Sequence, residues 1–243
     1  TDNQISSDPT SSGGYWVTVG SVANGNLAPR RSAGDWTAYN QVLQASDPFR
    51  VQVTPADGYQ LKAGSLTYSY MYKGEKKLVS LLESADGVNY NYKIADVVGQ
   101  VEAQFVGKYD GINFATVGAN SGNFYNKGLR FVTRLYLDNI DFETGKVTVG
   151  GTEYDIVDYG TLIGFEGTEL SLDTAAKAKC RPKVYRNVGG AFVDFTAELV
   201  NISDSDANTN FVACGYFSYK DADGSVTTVY SDAAVRSANG VMN

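Results

Sequence analysis

The sequence of residues 211–230 is FVACGYFSYKDADGSVTTVY. Two runs rich in β-branched and aromatic residues flank a turn that ends in Asp223 and Gly224. Asp forms local side-chain hydrogen bonds and Gly accepts positive φ, so both favour a tight reversal of the chain. The stretch therefore predicts a β-hairpin with strands over 211–219 and 226–230.

The rest of the chain repeats this pattern. With 17 Tyr and 26 Gly among 243 residues and 43% hydrophobic residues, the composition is typical of an all-β protein with a packed core. Short strand-like runs separated by turn residues about every 8–12 positions favour a sandwich. The further predicted strands are 15–19, 49–54, 66–72, 89–94, 101–105, 128–137, 146–149, 159–163, 183–185 and 191–200. Residues 172–179 (LDTAAKAK) are predicted to form a short helix.

The length of 243 residues suggests two domains. Residues 107–122 are rich in Gly and Asn and weakly patterned, so we place a boundary near residue 110. The prediction is a β domain over 15–110 and a β-sandwich domain over 111–243. Residues 1–14 (TDNQISSDPTSSGG) are polar, which is typical of a linker, and we expect them to follow other parts of a larger protein, with any signal peptide upstream.

In the first domain, the alternating Val51 and Val53 precede residues 55–66 (PADGYQLKAGSL). This stretch is similar to the V-x-V-x-P-x-x-G-Y-x-L core of the Ig-like or grasp-like β modules that repeat in Gram-positive surface proteins. Residues 95–105 (ADVVGQVEAQF) are similar to their closing strand. The resemblance covers most of residues 15–106, and residues 28–46 depart from it.

Three stretches of the second domain form a recognisable set: residues 128–133 (GLRFVT), 159–162 (YGTL) and 211–237. They resemble a C-terminal β-sandwich of secreted and surface proteins of gut Firmicutes, such as Lachnospiraceae and Ruminococcaceae, and the resemblance covers about residues 112–243. It implies an antiparallel sandwich in a secreted or cell-surface multidomain protein, with this part monomeric. Such modules accompany glycan-active enzymes and adhesins, so fold alone does not assign an activity.

Several chemistries are disfavoured by the residues themselves. The chain has no histidine, which removes His-dependent triads, general bases and metal ligands. Ser–Lys and paired-carboxylate chemistry remain as routes to a hydrolase, but the acidic residues fall mostly in turns. Asp204, Asp206 and Asn208 match the start of a calcium loop, but Thr209 and Gly215 stand where its Gly and Glu are needed. We therefore expect no enzyme, no metal and no cofactor.

The charge pattern bears on partners. The net charge is −7 and there is no basic stripe, so nucleic acid is not expected as a partner. The sequence contains no run of about 18 apolar residues, so insertion into a membrane is not expected.

Aromatic residues are the candidate binding surface. Their rings stack on the apolar faces of sugars and also anchor protein–protein interfaces. A Tyr-rich strand face is more often a sheet face packed on its neighbour. The predicted ligand-binding residues are Trp36, Tyr39, Tyr68, Tyr70, Tyr72, Tyr90 and Tyr92.

Two cysteines, Cys180 and Cys214, lie in β-like segments of the second half. In an exported protein they form a disulfide where the geometry permits it. The alternative is two small, buried, unpaired side chains.

The sequence thus predicts a non-enzymatic extracellular binding or adhesion fragment with a glycan as ligand. The alternatives are a module that binds a host protein, such as an immunoglobulin or a mucin, and a structural spacer.

Overall fold

The computed structural model describes residues 16–31, 48–72, 74–81, 92–93, 98–118, 128–174, 178–180, 184–187 and 192–242. Nearly all of the secondary structure in these residues is β, which confirms the all-β prediction. The chain divides into two compact units, Thr1–Gly107 and Lys108–Asn243, and the division lies three residues before the boundary predicted at residue 110. Among the described residues, no helix is long and apolar enough to span a membrane.

The first unit contains nine described strands. They are β1 (Trp16–Val19), β2 (Gly25–Arg31), β3 (Pro48–Pro55), β4 (Tyr59–Leu61), β5 (Thr67–Tyr72), β6 (Glu75–Ser80), β7 (Tyr92–Lys93), β8 (Val98–Glu102) and β9 (Phe105–Gly107). One sheet has the order β1-β8-β5-β6, in which β1 and β8 are parallel and the other pairs antiparallel. A second has the order β2-β3-β7, and β4 pairs with β9.

The core of the first unit forms where alternating apolar side chains of these strands are buried. Val51 and Val101 are buried, as the period of two in their strands predicts, and Phe49 and Tyr68 bring two aromatic rings into contact at 4.9 Å between centroids. The predicted Pro55–Gly58 turn is present, and Gly58 adopts a φ of 81°, a value that other residues rarely reach.

The second unit contains eleven described strands and one helix. They are β10 (Phe114–Val117), β11 (Leu129–Tyr136), β12 (Ile140–Asp141), β13 (Lys146–Val149), β14 (Thr152–Phe165), β15 (Ala178–Cys180), β16 (Val184–Asn187), β17 (Phe192–Leu199), β18 (Phe211–Lys220), β19 (Val226–Tyr230), β20 (Ala234–Arg236) and α1 (Ala238–Met242).

These strands form two sheets packed face to face. The four-stranded sheet has the order β10-β11-β17-β16. The seven-stranded sheet has the order β12-β13-β14-β18-β19, with β15 paired to β14 and β20 paired to β18. Leu135 and Phe195 of the first sheet meet Val147 and Phe217 of the second in one apolar cluster, which is the core of the sandwich.

The hairpin predicted over residues 211–230 is present. Strand β18 pairs antiparallel with β19, Lys220 lies opposite Val226, and Gly224 has a φ of 88° in the turn. Strand β18 is also paired along its other side with β14, so it lies at the centre of the larger sheet.

Two local predictions differ from the structure. The helix predicted over residues 172–179 is not formed in its described part, because residues 178–180 are strand β15, paired with β14. Residues 107–122 are weakly patterned in the sequence and no strand is predicted there, yet strand β10 lies within them and pairs with β11. In both places contacts with distant strands override a weak local pattern.

Candidate functional site

The structure describes the side chains of two of the seven predicted ligand-binding residues. Tyr68 is 0% exposed, and its ring contacts Phe49, so the ligand-binding role predicted for it is not supported. Tyr70 is half-buried, and its ring stacks on Tyr68 at 5.4 Å between centroids. Tyr68 and Tyr70 lie on the same face of strand β5, and Phe49 of strand β3 packs against Tyr68 on that face.

The other five lie partly or wholly outside the described residues. The backbones of Tyr72 and Tyr92 are described: Tyr72 lies opposite Glu75 in the β5–β6 hairpin, and Tyr92 lies opposite Phe49. Trp36, Tyr39 and Tyr90 lie outside the described residues.

Of the two alternatives for Cys180 and Cys214, the disulfide is not formed, since Cys214 is a free, buried thiol. The strand register gives the reason. Cys180 lies opposite Thr161 on one side of β14, and Cys214 lies opposite Leu162 on the other side. Strands two places apart in a sheet are separated by about 9–10 Å. That distance exceeds the roughly 7 Å that a disulfide permits between Cα atoms.

The segment that resembles a calcium loop forms a turn stabilised by protein side chains. The Ser203 hydroxyl donates to Asp206 at 2.7 Å, and the Asn239 amide donates to Asn208 Oδ1 at 2.8 Å. Throughout the described part of the chain, no cluster of three or more Cys, Asp or Glu residues has the geometry to hold a metal ion.

A recess with an exposed aromatic side chain lies in the second unit, and we call it the Tyr109 cleft. It is shallow, with a volume of about 270 Å³, and Tyr109 at its wall is 53% exposed. The side chains around it are mostly polar. They include Asp138, Asp141, Lys146, Thr148 and Glu153.

Asn139 fixes the wall of the Tyr109 cleft. Its side-chain amide donates to the carbonyl of Gly111 at 3.0 Å and to that of Thr148 at 2.7 Å, while the Thr148 N–H donates to the Asn139 carbonyl at 2.8 Å. The Gly150 N–H donates to the Tyr109 carbonyl at 2.9 Å. Because these bonds connect the segment before β10 to strand β13, the exposed ring is held on an anchored backbone.

The β12–β13 turn forms the floor of the Tyr109 cleft. Asp141 accepts hydrogen bonds from the main-chain N–H groups of Glu143 at 2.8 Å and Thr144 at 3.2 Å. Hydrogen bonding from Thr144, chiefly its side chain, and then from the Glu143 main chain lowers the pKa of Asp141 below its ordinary value. The Asp141 carboxylate is therefore ionised at neutral pH.

Lys146 separates the Tyr109 cleft from a second recess. Its ammonium lies 2.8 Å from Asp155 and 3.8 Å from Glu153. The hydrogen bond and charge of Asp155 raise the pKa of Lys146, and Lys146 in turn lowers the pKa of Asp155. The second recess has a volume of about 430 Å³ and extends past Asp155 to the β18–β19 turn. The two recesses share Lys146 and Glu153.

Sequence reasoning missed the Tyr109 cleft. Tyr109 lies in the weakly patterned stretch around the domain boundary, where no alternation predicts its environment. The residues around it come from the segment before β10, the β11–β12 turn, strand β12 and the turn after it, strand β13 and the start of β14. A single exposed aromatic residue beside a strand has no sequence signal that separates it from a core residue.

Comparison with protein-family models, with curated proteins and with solved structures finds no match to this chain. The resemblances to repeat modules and to a C-terminal sandwich of gut bacteria therefore stay predictions from the sequence.

Proposed function

We propose that this chain is a non-catalytic, extracellular module of a bacterial surface protein that binds a glycan in the Tyr109 cleft. The observation that supports the proposal is the exposed ring of Tyr109 beside a shallow, polar cleft. Sugar rings have apolar faces and hydroxyl edges, so a suitable site combines one aromatic surface with hydrogen-bonding side chains placed around it.

The polar groups of the Tyr109 cleft suit sugar hydroxyls. Asp138, Asp141 and Glu153 supply acceptors, and the Lys146 ammonium supplies donors. Asp141 and Lys146 are held in place by their own hydrogen bonds, which reduces the entropy lost when a ligand binds.

The charge of the Tyr109 cleft favours neutral glycans. Its carboxylates outnumber its one lysine, and that lysine is already paired with Asp155. Sugars that contain carboxylates or sulfates would meet like charges here and would be repelled. We therefore expect neutral hexose polymers to bind better than uronic acid polymers.

A binding role fits the carboxyl groups better than hydrolysis does. A glycosidase needs a carboxyl general acid whose pKa is raised, so that it is protonated at neutral pH. Among the described residues, the carboxyl groups whose pKa departs from its ordinary value all have it lowered; they are Glu75, Asp141, Asp155 and Asp223.

The test is affinity electrophoresis of the full chain in gels that contain starch, mucin or neutral plant glycans. We expect retardation by at least one neutral polysaccharide, its loss in Tyr109→Ala, and its retention in Tyr109→Phe, because Phe keeps the stacking surface. Phe165→Ala is the matched control, since Phe165 is an exposed aromatic residue that does not line the cleft.

Two results would contradict the proposal. If none of the three glycan classes retards the chain in the gel, a glycan-binding role is excluded. Binding that persists in Tyr109→Ala and is lost in Trp36→Ala would keep the function but move the ligand to the first unit.

The burial of Tyr68 favours a second candidate, a structural spacer, because a packed ring offers no surface on which a ligand can stack. A spacer would bind none of the glycans.

A further inference from the structure

Strand β19 is the edge strand of the seven-stranded sheet. It pairs with β18 on one side, and within the described part of the chain no strand pairs with its other side. An edge strand presents a row of backbone N–H and C=O groups to which another chain can add as a new strand.

Two hydrogen bonds fix which backbone groups of β19 point outward. The Asp221 N–H donates to the Ser225 carbonyl at 2.7 Å, and the Ser231 N–H donates to the Gly215 carbonyl at 2.9 Å. In an antiparallel ladder the bonded positions alternate, so Thr227 and Val229 bond inward to β18. The N–H and C=O groups of Val226, Thr228 and Tyr230 therefore point away from the sheet.

The side chains of β19 suit strand addition. The sequence Val-Thr-Thr-Val-Tyr has no charge and consists of residues with high β propensity. Val226 is 55% exposed and Tyr230 is 39% exposed. Edge strands that resist pairing usually contain Lys, Pro or a bulge. Strand β19 contains neither Lys nor Pro, and its register with β18 is continuous.

Exposed carboxylates lie beyond both ends of this edge. Asp223 precedes β19 in the hairpin turn, where its carboxylate accepts hydrogen bonds from Ser225. Asp232 follows β19 and pairs with Ala115 of β10, so the free edge ends at Tyr230. Antiparallel pairing of two copies about Thr228 would bring Asp223 of each copy next to Asp232 of the other. Like charges at both ends disfavour a second copy of this chain as the occupant.

We propose that the outward edge of β19 binds an extended segment of a partner protein by strand addition, and that this segment has an uncharged β-branched centre with a Lys or Arg at each end. The partner strand forms backbone hydrogen bonds with Val226, Thr228 and Tyr230. Its basic side chains reach beyond the paired residues toward the carboxylates of Asp223 and Asp232, which are nine residues apart in sequence. This surface is independent of the Tyr109 cleft, so either proposal can fail alone.

The probe is the synthetic peptide acetyl-Lys-Gly-Thr-Val-Thr-Val-Thr-Val-Gly-Lys-amide, whose two lysines have the same nine-residue spacing. Its binding to the full chain is measured by fluorescence anisotropy, and protection of residues 226–230 is measured by hydrogen exchange. The matched peptide has Glu in place of both Lys residues. We expect the Lys peptide to bind about tenfold more tightly at low salt, and the difference to shrink at about 0.5 M NaCl through screening.

Variants separate the backbone contribution from the side chains. Thr228→Pro removes an outward N–H without removing a bond to β18, so binding should weaken at least about tenfold. Thr228→Val is the control, since it keeps the N–H and loses only the hydroxyl that bonds Ser218 at 2.8 Å. Val226→Pro tests the same point at the first position of the strand, where proline is best tolerated.

Asp232→Lys decides the proposal if both proline variants unfold, because an exposed charge change leaves the strand intact. It should lower the preference for the Lys peptide over the Glu peptide. Equal binding of the two peptides, unchanged binding in Thr228→Pro, or protection outside residues 226–230 would each overturn the proposal. A concentration-dependent dimer abolished by Thr228→Pro would show that a second copy occupies the edge instead.

Discussion

Arg134 donates two parallel hydrogen bonds to Asp194, from Nε to Oδ1 at 2.7 Å and from Nη2 to Oδ2 at 2.8 Å. The guanidinium also lies 3.8 Å from the centre of the Phe192 ring. Arg134 is 1% exposed, so this is a buried, bidentate ion pair between neighbouring strands β11 and β17. Removing one partner of such a pair destabilises the fold strongly, although the intact pair adds little net stability.

Replacing Asp194 with Ala should lower the free energy of unfolding of the second unit by about 3–5 kcal/mol, since Arg134 is left buried without its counter-charge. Glu198→Ala is the matched control, because Glu198 pairs with Arg130 on the same two strands at a half-exposed site. It should cost about 0–1 kcal/mol. The free energy of unfolding of each variant is measured by urea titration, with unfolding monitored by hydrogen exchange of peptides from residues 108–243. Equal losses would contradict the prediction.

The two sheets of the second unit are joined by a chain of buried hydroxyls. Thr133 Oγ1 lies 2.7 Å from Thr116 Oγ1 and 2.9 Å from Thr161 Oγ1. Thr133→Val should destabilise the unit by about 1–3 kcal/mol, because the Thr161 hydroxyl stays buried without a partner. Thr133→Ser, which keeps the hydroxyl, should retain more of the stability. The thermal midpoints of the two variants test this, and a Val variant as stable as the Ser variant would refute it.

Gly99 and Tyr68 are in close contact in the first unit, where a Cβ on Gly99 would overlap the Tyr68 ring. Gly99→Ala should therefore cost about 1–3 kcal/mol through overpacking. Both tryptophans, Trp16 and Trp36, belong to this unit, so tryptophan fluorescence during denaturation reports on it specifically. Adding Tyr68→Leu to Gly99→Ala should recover part of the loss. If Gly99→Ala leaves the free energy of unfolding unchanged, the Tyr68 ring has room to move away from the added methyl group.

Cys214 should react slowly with thiol reagents in the native protein. It is buried with Leu162 and Tyr216, Leu170 and Leu172 pack against this cluster, and burial raises the pKa of its thiol to about 11. In a Cys180→Ser background at pH 8, Leu172→Ala should accelerate the reaction, whereas Val200→Ala, at an exposed site elsewhere, should not. Equal rates in all three proteins would contradict the assignment of a covered thiol.

The same shift in the pKa of Cys214 has a consequence for stability. The folded thiol ionises near pH 11 and the unfolded thiol near its ordinary value of 9.0, so the unfolded state loses its proton first as pH rises. The contribution of Cys214 is complete below about pH 9 and is lost between pH 9 and 11. Cys214→Ala should remove this part of the alkaline decline measured by urea titration at successive pH values.

The absence of a disulfide gives a further measurement. Denaturation without reductant should expose two titratable thiols per chain, because Cys180 and Cys214 lie on strands separated by β14. Finding none would mean that the sheet register differs from the one described. Mass spectrometry after alkylation, with and without prior reduction, distinguishes the two results.

Local sequence by itself determined the strands with strong alternation and clear turns. Val226–Tyr230 and Lys146–Val149 have the predicted bounds, because a period of two together with turn residues at both ends specifies a strand without help from elsewhere in the chain. The all-β class follows from the repetition of such segments. The absence of histidine, which limits the chemistry of the chain, is also a property of sequence alone.

Only the tertiary structure decided which faces and edges are covered. Tyr68 and Tyr109 have the same side chain, yet one is buried in a sheet interior and the other lies at the wall of an open cleft. Alternation tells which side chains share a face, but burial depends on strands that pack there from distant parts of the sequence, as Thr161 meets Thr133 across the sandwich. The outward direction of the Thr228 amide likewise follows from the register with β18, which pairing fixes and residue type does not.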